Sequence, residues 1–128
     1  MKQGKINVAF GKVCDMYRIK DLPFTLSRQL FMLKKMLEPF VEHYYEQEYD
    51  FLTERDALNP DGTTRTDMPP EEVADINKRL RDMRQSEIDW KEEPVKILLD
   101  ADLTKKLGVT GELMDQLDGI ICFEGVEE

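Results

Sequence analysis

Histidine is nearly absent from this chain: His43 is the only one in 128 residues. A Ser-His-Asp or Cys-His pair would have to use it. It stands between Glu42 and Tyr44 on a helical stretch, with no glycine-rich elbow near any serine or cysteine. It reads as a surface or rim residue. Cysteine is almost as scarce. Cys14 and Cys122 form no CxxC unit, so they read as free thiols of a reducing compartment and not as metal or redox ligands. The glycines are scattered, which removes a phosphate-cradling loop. No apolar run approaches the roughly 20 residues a membrane span needs. The stretch from Met1 to Val8 lacks the apolar core of a signal peptide. The expected setting is the cytoplasm, away from membranes.

Positive charge is also short. Lys and Arg total 18 against 27 Asp and Glu, a net charge of -9. Duplex nucleic acid is not an expected ligand, because phosphate binding needs clustered cations to release counterions. An acidic surface suits a basic protein partner or mimicry of nucleic acid. Apolar residues still make up 41% of the chain, enough for a folded unit. A single domain over residues 1–128 is expected.

What the sequence does hold is helical periodicity. From residue 25 to 57, Leu26, Leu30, Leu33, Leu37, Phe40, Tyr44 and Phe51 follow steps of three and four, with one position skipped at Gln47. Such a seam makes a continuous face for a partner helix. Thr25 is read as its N-cap. Pro39 should kink or break it, since proline cannot donate to the carbonyl four residues back. Asn59-Pro60-Asp61-Gly62 reads as a turn, and residues 63–68 as a short arm. From Glu71 to about Lys91, Val73, Ile76, Leu80, Met83 and Trp90 repeat the same spacing.

Two stretches of similar length around a loop predict a kinked antiparallel helical hairpin over about 25–91. Charge agrees with that orientation, because Glu42, Glu46, Glu48, Asp50 and Glu54 would lie beside Lys78, Arg79, Arg81 and Arg84. The expected hairpin core is Leu37, Phe40, Tyr44, Phe51, Ile76, Leu80, Met83 and Trp90. Residues 6–8 read as a strand, followed by a short helix through Ala9, Phe10, Val13, Met16 and Tyr17. Val95, Ile97 and Leu99 read as a second strand, and the two should pair. Thr110 is read as the cap of a short helix ended by Gly119. Ile120 to Phe123 form a third strand or tail, with a solvated acidic end at 124–128. The fold class is therefore α+β, mainly α: the hairpin plus a terminal α/β part over 5–22 and 93–123.

Chemistry is sparse on this scaffold. Glu72-x-x-Asp75 matches the carboxylate spacing of helical magnesium-dependent nucleotide hydrolases, but the facing helix has no ExxE at the right place. Glu42, Glu46, Asp50 and Glu54, four apart, suit salt bridges equally well. No cofactor, metal or catalytic residue is assigned, and the chain is read as a non-enzyme. Tyr45 and Tyr49 fall off the seam and would make an exposed aromatic stripe. With Glu42, Glu46 and Asp50 they form the expected partner-binding surface.

The order of features also resembles a family. Asp-Leu-Pro-Phe-Thr-Leu-Ser at 21–27 precedes a helix with Leu37-Glu38-Pro39. The Asn-Pro-Asp-Gly turn follows, then Pro-Pro-Glu-Glu opening a second helix, Glu-Pro-Val-Lys-Ile-Leu, and Leu-Gly-Val-Thr-Gly-Glu-Leu-Met. In this layout the chain resembles small phage- and prophage-encoded helical-hairpin proteins of unknown function. The resemblance implies a host bacterial cytoplasm and an accessory protein acting by protein–protein interaction, with inhibition of a host defence or other host protein through the acidic surface as one form. A virion or assembly component that forms a homo-oligomer through the hairpin is the alternative, and a magnesium-dependent hydrolase the weakest reading.

Overall fold

The computed structural model describes residues 1–125. In chain order it has α1 (Gln3–Tyr17), α2 (Phe24–Glu54), α3 (Pro70–Arg84), β1 (Val95–Leu98), α4 (Ala101–Leu107), α5 (Gly111–Gln116) and β2 (Ile121–Glu124). The protein is mainly helical, with a small two-stranded sheet.

Residues 6–8 are not a strand. Ile6, Ala9, Val13 and Met16 are all buried on α1, and their three–four spacing turns one stripe of that helix inward. The stripe packs on Leu26, Leu30, Leu33, Leu37 and Val41 of α2, forming the main core with Ile97, Leu117, Ile120 and Ile121. Gln3 lies at the same interface. It is the one buried polar residue among the described residues, 4% exposed, and its Nε2 donates to Asn7 Oδ1 at 2.8 Å and to the Phe40 carbonyl at 3.2 Å.

Helix α2 continues for 31 residues with Pro39 inside it, so the expected break does not occur. Leu37 and Val41, on either side of the proline, are 0% and 5% exposed. Packing on both sides holds the helix across the lost hydrogen bond. Thr25 is not its cap: Pro23, two residues earlier, holds that position, and Ser27 N–H donates to the Pro23 carbonyl at 3.0 Å.

The expected hairpin of two matched helices is not the organising unit. α1 covers the N-terminal part of α2. α3 meets α2 through a satellite cluster of Leu52, Ala57 and Ile76, flanked by Phe51, Leu58, Met68 and Leu80. α3 also stops at Arg84 and does not reach Lys91. Beyond it the backbone pairs with the chain's first residues: Gln3 N–H donates to the Ser86 carbonyl at 2.9 Å and Ile88 N–H to the Met1 carbonyl at 2.7 Å. Gly4 permits this close approach, since a Cβ there would sit 3.2 Å from the Arg84 carbonyl oxygen. Trp90 then packs edge-on against Phe40, ring centroids 5.8 Å apart. Of the expected hairpin core, Leu37, Tyr44 and Ile76 are buried, while Phe40, Phe51, Leu80, Met83 and Trp90 are only half-buried.

β1 pairs with β2, not with the N-terminus, and the pairing is parallel, with Val95 opposite Ile121 and Leu98 opposite Glu124. A parallel pair needs a crossover, and α4 with α5 supply it. Asp100 caps α4 by accepting from Leu103 N–H at 2.8 Å. Thr110 caps α5 by accepting from Leu113 N–H at 3.1 Å, as its position in the sequence predicts. The turn at Asn59–Gly62 closes with Gly62 at φ 88°, and residues 63–68 contribute a single bridge, Leu58 to Thr64, without a strand. Of the expected acidic tail, residues 126–128 lie outside the described residues.

Candidate functional site

The C-terminal half of α2 presents its outer face beside α1. Steps of three and four that bury Val41 and Tyr44 turn Glu42, Tyr45, Glu46, Tyr49 and Asp50 away from the core. All five line one open groove of about 670 Å³, together with Phe10 of α1, Glu38 and Val41. Phe10 and Val41 give the groove an apolar floor. Tyr45 and Tyr49 stand over it, 54% and 60% exposed.

Tyr45 is steadied from beneath by Tyr44, with ring centroids 5.3 Å apart in an edge arrangement. Tyr44 is 3% exposed, and its hydroxyl has no hydrogen-bond partner among the described residues. Burial pushes the Tyr44 phenol up to about 12; the neighbouring Glu48 carboxylate adds to the rise and Arg84 opposes it. A folded-state value above the ordinary 10.0 means that the fold favours the neutral phenol. The contribution to stability is complete below pH 10 and is lost as pH rises through about 12. An alkaline titration followed by phenolate absorbance should therefore show one late ionisation, missing in Tyr44→Phe. Complete ionisation of the folded protein by about pH 11 would contradict this.

The groove's carboxylates are not neutralised as the hairpin predicts. Among the described residues Glu42, Glu46 and Asp50 take part in no ion pair. Arg79 instead faces Asp75 on its own helix at 3.9 Å. The pair that joins α3 to the end of α2 has the opposite polarity, with Arg55 Nη1 donating to Asp75 Oδ2 at 2.8 Å. That guanidinium holds the Asp75 carboxyl below its usual range and occupies one half of the Glu72-x-x-Asp75 pair. Among the described residues no three or more His, Cys, Asp or Glu side chains gather where a metal could be held. His43 is exposed beside the groove but does not line it. Cys14 is half-buried, Cys122 is exposed, and both are free thiols.

Phe10, Glu38 and Val41 are the groove residues that sequence reading missed. Val41 sits one turn after Leu37 and could have been placed; Phe10 could not, because α1 was not expected beside α2. A second exposed aromatic group lies near the other end of α2. Tyr17, Phe24 and Phe31 surround an open hollow of about 400 Å³ with Ser27 and Arg28. Phe24 is 80% exposed, and Tyr17 and Phe31 have ring centroids 6.0 Å apart. No described helix is long and apolar enough to cross a membrane. Comparison of the chain with protein-family models, with curated proteins and with solved structures gave no match.

Proposed function

We infer that the chain is an interaction protein that uses the Phe10–Tyr49 groove to dock a helix carrying Lys or Arg between apolar side chains. One observation supports this best: two exposed tyrosines share an apolar-floored groove with three carboxylates that form no ion pair among the described residues. Rigid aromatic rings supply contact energy at low entropy cost. The carboxylates would steer a cationic partner and reject an anionic one. The α2 backbone beneath is fixed by the core, so docking has only side chains, not backbone, to order. No catalysis is assigned. The phage setting and a host-directed role belong to the proposal through the sequence phrases alone. Self-association, the second reading, is favoured by the cations and aromatic rings that Phe24, Arg28, Phe31 and Lys35 present along the N-terminal half of α2.

The test places a photo-cross-linking amino acid at Tyr49 of the full chain expressed in bacterial cells, with a control at exposed Met114 on α5. The expected result is an adduct from position 49 alone, joined to a peptide with Lys or Arg at helical spacing. No adduct above the Met114 control, or a linked peptide that is acidic, would overturn the docking reading.

A further inference from the structure

We propose that the helix docked along this groove is α2 of a second copy, running antiparallel about a two-fold axis that crosses α2 between Lys35 and Glu38. This rests on the docking reading and names its occupant. The chain itself carries the helix the groove calls for, with cations interleaved with aromatic rings. Phe24, Arg28, Phe31 and Lys35 occupy the same exposed side of α2, one half-helix before the groove.

The two halves form one stripe. Its positions advance by four and three from Phe24 through to Tyr49, and it lies outside the buried Leu26–Leu33–Val41 face. That is the spacing of a helix-pairing seam, about 38 Å long at 1.5 Å per residue. The stripe is self-complementary when reversed. Laid antiparallel on itself, Phe24 meets Tyr49 and Arg28 meets Tyr45 with Glu46 beside it. Further in, Phe31 meets Glu42 and Lys35 meets Glu38. A two-fold interface requires this reciprocity, because each contact must occur twice. A parallel pairing would set Lys35 against Lys35 and Glu42 against Glu42.

Shape and unmet bonding agree with the charges. The hollow at Tyr17, Phe24 and Phe31 would receive the second copy's Tyr49, while the groove receives its Phe24. At the centre, Glu38 Oε2 has no hydrogen-bond partner among the described residues, and Lys35 Nζ lies 3.5 Å away. That carboxylate, ion-paired with Lys35 of its own helix, gains the second copy's Lys35 as a second cation. The net charge of -9 opposes association elsewhere on the surface, but along the stripe each cation faces a carboxylate or a ring. A stable dimer needs about 800 Å² from each copy, a small fraction of the 8717 Å² surface. The exposed rings of Phe24, Tyr45 and Tyr49 give that area an apolar patch toward each end.

Sedimentation velocity on the full chain over a concentration series tests this, with Arg28→Glu and Glu46→Lys as variants. Both positions are exposed, and they stand too far apart on α2 to touch within one copy. The wild-type chain should dimerise. Each variant alone should self-associate at least ~10-fold more weakly, because like charges then oppose each other twice. Mixed in equal amounts, the two variants should recover a heterodimer, since every altered charge then faces its opposite. A purely structural role cannot produce recovery on mixing. A monomeric wild type at about 100 μM, a concentration at which even weak specific pairs associate, would overturn the proposal, as would a dimer unaffected by either variant or a mixture that stays monomeric. A monomeric wild type whose position 49 still cross-links to a different, basic protein would sink the self-pairing and leave the docking reading standing. Absence of any adduct at position 49 would sink both.

Discussion

A fragment of residues 24–91, the whole of the hairpin that periodicity predicts, is expected to show no cooperative unfolding transition. The buried face of α2, through Leu26, Leu30, Leu33, Leu37 and Val41, is covered by α1 and by the sheet end of the molecule. In the fragment those side chains face water. Each large apolar residue so exposed forfeits about 1.5–3 kcal/mol. Five of them together approach or exceed the roughly 5–15 kcal/mol by which domains are stable. What remains is the satellite cluster of Leu52, Ala57 and Ile76, too small to fix two helices. α2 alone would be partly helical, since isolated helices gain little without tertiary packing. Far-UV circular dichroism against temperature decides the matter. A sigmoidal melt of the fragment would show that α3 alone can cover α2, while a broad, non-cooperative loss of signal is the expected outcome.

The same packing explains what was legible in the sequence. Leu26, Leu30, Leu33, Leu37 and Tyr44 were found as a stripe because helix geometry alone dictates which positions share a face. Periodicity says that a face is covered but not by what. Pairing α2 with the next long helix was the natural choice, yet the cover is α1, whose stripe was cut short by reading Ile6 as strand. Ile6 stands three residues before Ala9, in step with Val13 and Met16, so the signal was present; Ile6 and Val8, with Asn7 between them, were too few to separate the two periods. The end of α3 was less accessible. Its pattern continues to Trp90, but residues 86–88 pair with Met1 and Gln3, a long-range contact with no local trace. Parallel pairing of β1 with β2 was hidden for the same reason. The surface was read more directly. Glu42, Tyr45, Glu46, Tyr49 and Asp50 needed only the helix and its buried side, and the structure brings all five to one groove. Their neighbours from α1 depended on the tertiary contact that the sequence did not reveal.

Leu30→Ala should destabilise the protein far more than Leu80→Ala, the reverse of what a hairpin-centred core implies. Leu30 is 0% exposed and among the largest fully buried side chains. It sits where α1, α2 and the sheet end converge. Truncating it leaves a cavity between elements that cannot all move inward, so the cost is about 2–5 kcal/mol, the range for buried leucines. For a chain of this size that lowers Tm by on the order of 10 °C. Leu80 is half-buried at the edge of the satellite cluster. It gives up only part of a transfer term, about 1 kcal/mol, and the site opens to solvent, so no sealed cavity forms. Denaturant melts of both variants measure the difference, with equal m-values confirming that the transition stays two-state. A Leu80→Ala cost that matches or exceeds that of Leu30→Ala would make α3 the principal cover of α2. The exposed stripe from Phe24 to Tyr49 would then need redrawing, because a helix whose main partner is α3 turns a different face to solvent.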